Sequence, residues 1–336
     1  MSMDIGQAQA LVEARLGSGS WRVAPFGAGR FSDVFAIEGG SGRYVLRVAP
    51  PDRVRQLFYE YRMMRQEPAV HARLLAETSV PVPPIVAHDF SRERIDRDYL
   101  LMPRFDGEPL SRAGLSAAAR ARALREWGGY VAQIHGLTDP ENRFGYLGEH
   151  RCMAPQRTWA EAFAVMYRNE LDDIVACGVY DEPTADAAMQ LLNDRLDAFG
   201  HCDTSRLLHG DLWVTNLLVE PDGCVTGVLD FDRACWGDVE WDLAIAEYCG
   251  VTQPPFWEAY AEGCQRLHLT DLEAVRERIA TPEGQLRRMF YLLYEHQKYI
   301  VISMSVRRSD PAGARRYAAE CSAVLDRFRR TGRPGF

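Results

Sequence analysis

Apolar residues change their period twice along this chain. Residues 4 to 16 repeat on a helical period and predict a short amphipathic helix. "WRVAPFGAGRFSDVFAIEGGSGRYVLRVAPP", residues 21 to 51, then alternates apolar with polar around a Gly-Gly-Ser-Gly turn, the pattern of an antiparallel hairpin. A helical run is predicted from about 53 to 77, interrupted near Pro68. The Pro-rich break "SVPVPPIVAHD" and a further strand, "DYLLMPRF", complete a β-rich first unit. From "GLSAAARARALREWGGYVAQIHGL" onward the period is helical, predicting helices over 114–136, about 156–177 and 183–199. Two short strand-like runs, "LLV" and "VTGVLDF", interrupt it, and the remainder to 331 is helical, with a long apolar-rich piece near 285–305. The chain therefore reads as an α+β protein in two parts, residues 1–105 and 106–336, divided near the Gly and Pro turn of "RFDGEPL".

Composition narrows the class. With 336 residues and 47% apolar side chains, there is enough material for a large core. No stretch approaches eighteen uninterrupted apolar residues, and the acidic, polar N-terminus lacks the pattern of a secretory leader, so a cytoplasmic protein without a membrane span is expected. Eight cysteines with no C-x-x-C pair predict reduced, mostly buried thiols. A net charge of −8 argues against nucleic acid as a partner and mildly favours a cationic small molecule. Of the 39 basic residues, 38 are arginine and Lys298 is the only lysine, so chemistry that normally uses lysine must use Lys298 or an arginine.

The candidate chemistry centres on "LLHGDLWVTNLLV", residues 207 to 219. His209-Gly210-Asp211 is followed by Asn216 and then by Asp230 in "VLDFD", the order in which protein kinases place a proton-accepting aspartate and two magnesium ligands. On that pattern Asp211 orients and deprotonates an incoming hydroxyl, while Asn216 and Asp230 hold Mg2+ through hard oxygen atoms. Turn capping would explain an Asp and an Asn singly, but not three residues in this order. Upstream, "FGAGRFSDVF" offers Gly27, Gly29 and Ser32 before a strand rather than a helix, which suits a phosphate-covering hairpin turn and not a dinucleotide fingerprint. At the third strand, where a kinase carries a phosphate-gripping lysine, "YVLRVAPP" places Arg47, with Glu60 or Glu67 as its partner.

These residues resemble the aminoglycoside phosphotransferase and choline-kinase-like family across most of the chain, most specifically in "QEPAVHARLLAETSVPVPPIVAHD", "LHGDLWVTNLLV" and "GVLDFDRACWGDVEWDLA". The resemblance implies a two-lobed protein-kinase-like fold, with a small antiparallel-sheet N-lobe for nucleotide and a larger, mainly helical C-lobe for catalysis and substrate. It selects Glu67 over Glu60, with Pro68 tolerated early in the helix, lays the adenine against the connection at Met102, Pro103 and Arg104, and gives Asp238 or Asp242 the task of bracing the catalytic loop. Asp232 stands where protein kinases have glycine and is expected to add negative charge near the metal or a substrate amine. Glu247, Tyr294 and Glu295 are candidate substrate contacts, and His135 is expected to be a packed helix-end residue. The implied activity is transfer of phosphate from ATP, or GTP, to a hydroxyl of a small molecule such as an aminoglycoside or other antibiotic, by a monomer or homodimer. A metabolite acceptor (amino alcohol, sugar or ketoamine) is the alternative, and a nucleotide-binding pseudokinase scaffold is a third reading.

Overall fold

The computed structural model describes residues 3–27, 32–40, 42–52, 57–148, 153–305 and 308–336. Helix α1 (Ile5–Leu16) starts where the Asp4 carboxylate accepts from Gln7 N at 2.8 Å, and ends at Gly17 with φ 86. It lays Ala8, Leu11 and Val12 on a sheet built from β1 (Arg22–Pro25), β2 (Asp33–Gly39), β3 (Gly42–Val48), β4 (Ala87–Asp89) and β5 (Tyr99–Pro103), in the order β1-β2-β3-β5-β4 with every neighbour antiparallel. The inward-facing residues of the central strands, Phe35, Ile37, Leu46 and Val48, are buried and alternate with half-buried ones, as the hairpin pattern requires.

The helix expected over about 53–77 is shorter. Residues 58–60 and 63–66 form two 3-10 turns, and α2 spans Glu67–Glu77, with 53–56 outside the described residues. Pro68 begins this helix rather than interrupting it, because the first turn leaves its N–H groups without intrahelical partners and a proline there forfeits nothing.

The second lobe has α3 (Ala117–Gly136), α4 (Trp159–Ala176), α5 (Glu182–Asn193), α6 (Val239–Tyr248), α7 (Pro254–Arg266), α8 (Thr270–Glu273), α9 (Val275–Ala280), α10 (Pro282–Met304) and α11 (Pro311–Thr331). The helix expected to reach 199 stops at Asn193, and residues 196–199 make a separate 3-10 turn. Small strands thread between the helices: β6 (Glu108–Pro109), β7 (Gly145–Tyr146), β8 (Arg206–Leu208), β9 (Leu217–Val219), β10 (Val225–Val228) and β11 (Cys235–Gly237), in two sheets ordered β10-β9-β6 and β7-β11-β8. Only β9 and β10 are visible as strand-like runs in the sequence. The others are two or three residues long, too short to show a period.

Two packing features fix the frame. Helices α3 and α7 cross so closely that a Cβ on Gly128 would lie 2.2 Å from the Phe256 carbonyl oxygen. Helix α10 is buried on nearly all sides, with Phe290, Tyr291, Leu293 and Tyr294 fully enclosed by Trp159, Phe163, Phe199 and Trp241. Among the described residues the cysteines form no disulfide, and no helix is long and apolar enough to cross a membrane.

Candidate active site

β8 delivers the chain into the loop at His209, and Gly210 turns it with φ 75. A side chain at Gly210 would meet the Arg233 carbonyl oxygen at 2.4 Å, so only glycine fits both the angle and the space. The fully buried Asp242 carboxylate accepts from His209 N at 2.7 Å and Gly210 N at 2.8 Å, which identifies it as the brace between the two aspartates considered. Asp238 instead caps α6, accepting from Glu240 N, and takes the Tyr291 hydroxyl at 2.7 Å. Asp211 N donates to His209 Nδ1 at 3.2 Å, so the ring proton sits on Nε2, which donates to the Leu229 carbonyl at 3.0 Å. His209 thus ties the loop to the segment leading into Asp230, with its ring 4.4 Å from that of Phe231.

Asn216 Nδ2 donates to the Asp211 carbonyl and to Asp211 Oδ2, both at 3.0 Å. This leaves the amide oxygen facing away from Asp211. Leu229 N donates to the Asn216 carbonyl at 2.9 Å, fastening the residue before Asp230 to Asn216. Asp230 itself lies beyond β10, not at its end, in the left-handed region at φ 72. The hard oxygens of Asn216 and Asp230 are a donor set that fits Mg2+, and the open position of Asp230, with 38% of its side chain exposed, leaves room for one.

From the sheet above, Arg47 reaches down with a divided fork. Nη1 donates to Glu67 Oε2 at 2.7 Å; Nη2 donates to Asp230 Oδ1 at 2.8 Å and Asp232 Oδ2 at 3.4 Å. Burial would lower the Arg47 pKa, but Glu67, Asp230 and Asp232 together raise it. Burial in turn lifts the Glu67 carboxyl to about 7 against the pull of Arg47. Burial, with Asp230 adding to it, also raises Asp232, whose contact with Arg47 gives it a role in this ion cluster. Gln66 opens one of the family-like motifs, but its role could not be read from the sequence. Its amide donates to the carbonyls of Phe231, Asp232 and Ala234, so the start of α2 clamps the segment that carries Asp230.

A second charge cluster closes the floor. Arg233 Nη1 stands 3.7 Å and Lys298 Nζ 3.9 Å from Asp211 Oδ1, and both cations also pair with Glu295. Burial alone would raise Glu295, yet Arg233 and then Lys298 pull its carboxyl down to about 2. Glu295 is therefore a neutralised floor residue beside Asp211. Of the other substrate candidates, Tyr294 is fully buried with its hydroxyl on that of Tyr146 at 2.9 Å, and Glu247 pairs with Arg288 at 2.6 Å. Tyr294 is thereby enclosed in the core, while Glu247 keeps about half of its side chain exposed. His135 is buried at the end of α3, bonded to the Tyr260 hydroxyl at 2.9 Å and 3.3 Å from Asp242, as a packed residue should be.

The remaining nucleotide candidates lie on the N-lobe sheet. Gly27 turns the chain after β1 with φ 72, Ser32 precedes β2, and Gly29 lies outside the described residues. Met102 pairs with Val45, two residues before Arg47, and packs with Met64 and Leu100. Arg104 N donates to the Arg43 carbonyl at 2.9 Å while its guanidinium covers the Phe26 ring at 4.4 Å. A small hollow that Glu295 reaches is lined also by Trp213, Ile245, Tyr248, Leu292, His296 and Tyr299.

Residues 22–278 match a family described as the phosphotransferase enzyme family. A probable ketoamine kinase from Vibrio cholerae is 27% identical over 240 residues, covering 69% of this chain and 74% of its own. A probable ketoamine kinase from Escherichia coli K12 is 29% identical over 174 residues, covering 49% and 55%. Among solved structures, a protein described as a fructosamine-3-kinase from Haemophilus somnus superposes with a TM-score of 0.66 at 16% identity, over 94% of this chain and 96% of its own. A thermostable mutant of an aminoglycoside phosphotransferase in ternary complex with AMP-PNP and hygromycin B gives 0.63 at 19% identity, over 95% and 98%. At such identities these structures establish the shared two-lobed kinase-like fold.

Proposed function

The chain belongs to the phosphotransferase enzyme family, and from that membership we propose that it transfers the terminal phosphoryl group of ATP, or GTP, to a hydroxyl of a small sugar-like molecule, a ketoamine first among the candidates. The observation that carries this reading is the convergence of Asp211 and Asn216 with Asp230, which Arg47 links to Glu67. Asp211 receives the acceptor hydroxyl and takes its proton as the acceptor oxygen bonds to phosphorus. The bond from that phosphorus to the bridging oxygen breaks, and its electron pair leaves with the nucleoside diphosphate. Magnesium held by Asn216 and Asp230 would neutralise phosphate oxygens when bound. Asn216 also fixes the rotation of Asp211 through the Nδ2 bond, and Arg47 supplies charge from above.

The sugar-like acceptor is supported by the relatives named ketoamine kinases. An aminoglycoside is the second reading, favoured by the kinase-like neighbour that holds hygromycin B. A panel separates them. Purified protein with magnesium and ATP or GTP is offered ketoamines, sugars, amino alcohols and aminoglycosides, with diphosphate release and product mass as readouts. Transfer to ketoamines is expected, and Asp211→Asn should lower it by about 10²–10⁴-fold while nucleotide still binds. Nucleotide binding with no transfer to any acceptor would replace this reading with that of a scaffold.

A further inference from the structure

Whatever bias set 38 of 39 basic positions to arginine left one ammonium, at Lys298. It stands beside the proposed base. Its Nζ is 3.9 Å from Asp211 Oδ1, and the residue is only 5% exposed on a helix whose neighbouring positions are core.

A purely structural duty explains this poorly. Glu295 could need a counter-ion, but Arg233 already gives it two bonds, Nη2 to Oε1 at 2.9 Å and Nη1 to Oε2 at 3.2 Å, and Trp241 Nε1 adds a third at 3.1 Å. Lys298 is a second cation on a carboxylate that is already satisfied. Arg233 is also immobile, its guanidinium held over the rings of Tyr59 at 4.9 Å and Trp241 at 5.8 Å. The lysine is a compact charge with three donors on a flexible stem, and bonding Glu295 uses one of them.

We infer that Lys298 is a catalytic residue: its ammonium donates to a non-bridging oxygen of the phosphoryl group as that group passes to the acceptor held on Asp211, and a guanidinium cannot replace it. The inference rests on the kinase reading given above. An acceptor hydroxyl bonded to Asp211 lies about 3 Å from that carboxylate, so phosphorus approaching it comes within reach of Nζ. Asp211 and Glu295 balance Arg233 and Lys298 before the reaction. The incoming phosphoryl group adds negative charge; Arg47 meets it from above, but on the floor side, without the ammonium, that charge would face Asp211 and Glu295 with only Arg233 to offset them. An arginine at 298 would place two more heavy atoms in this enclosed position, beside the Tyr299 ring that Nζ faces at 5.3 Å.

The test compares wild type, Lys298→Arg and Lys298→Ala in kcat, nucleotide KM and thermal unfolding, with methylammonium added to the alanine variant. Both substitutions should lower kcat by about 100-fold, the loss typical of removing one donor to transition-state charge, with nucleotide KM nearly unchanged. Methylammonium should restore part of the kcat of Lys298→Ala and none of that of Lys298→Arg. Wild-type kcat in Lys298→Arg overturns the inference. So does a loss confined to unfolding temperature and nucleotide KM, which would make the lysine part of the scaffold. A wild type that transfers phosphate to no acceptor overturns the kinase reading itself, and this inference with it.

Discussion

Two nitrogens of one guanidinium hold the upper half of the cleft together. Arg47 spends Nη1 on Glu67 and Nη2 on Asp230 and Asp232, a span that a single ammonium cannot reproduce. Arg47→Lys should therefore keep the charge but lose one arm, weakening nucleotide binding by about 10-fold, because a hydrogen bond to a charged group contributes on the order of 1.5–3 kcal/mol. Arg47→Ala should weaken it further and lower the unfolding temperature, since buried Glu67 loses its counter-ion. Titration with a fluorescent nucleotide analogue and a thermal scan check both; equal affinity in all three proteins would remove Arg47 from the nucleotide site. At this scale the placement of Asp211, Asn216, Asp230 and Arg47 was legible, because a short motif or a strand position fixes where each one points, whereas Glu67 was separated from Glu60 only by the family resemblance. Asp242 was not separable from Asp238, since both lie in one acidic run and only the path of the loop decides which carboxylate meets its N–H groups. Lys298 meets Asp211 from more than eighty residues downstream, a distance no local pattern spans, and Glu295 joins them through Lys298 and Arg233.

At the scale of elements, adjacent glycines on α3 have opposite meanings. Gly128 lies against the Phe256 backbone at the crossing with α7, whereas a Cβ on Gly129 would find nothing within 4 Å. Gly128→Ala should force the helices apart and cost about 1–3 kcal/mol. Gly129→Ala should be neutral or stabilise by roughly 0.5–1 kcal/mol through helix propensity. Denaturant unfolding of the two variants decides it, and equal effects would contradict the crossing described here. The helical period of α3 was readable from its apolar positions, but which glycine faces a partner was not. Pro68 shows a related limit: the helical period alone makes it an interruption, whereas the family resemblance sets it early in the helix, and the start of α2 at Glu67 agrees with the second.

Across the whole molecule, buried charges tie stability to pH. His201 Nε2 lies 3.2 Å from Asp238 and 3.4 Å from Glu240, which also binds Arg278 and Arg287. Burial would lower the imidazole, but the carboxylates of Asp238 and Glu240 carry it up to about 9. A folded value above the unfolded one means that the stabilisation is complete below about pH 6.5 and is lost as pH rises through 9. Wild type should exceed His201→Gln by on the order of 2 kcal/mol at pH 6, after allowing for partial solvent access, and the two should converge above pH 9. Thermal scans across that range test it; a constant difference would show that the histidine acts by packing alone.

Sequence by itself determined the two-lobed α+β plan, the order of His209, Asp211 and Asn216 in one loop and the presence of arginine on the third strand. These are carried by periods and spacings within a few dozen residues, over which backbone geometry dictates direction. Only tertiary structure decided that Asp242 braces the loop, that Gln66 clamps the segment bearing Asp230, and that the one lysine of the chain stands against Asp211. Those contacts join elements whose separation along the chain carries no periodic signal, and they exist because the packing of α2, α6 and α10 around one core brings those side chains together at that depth.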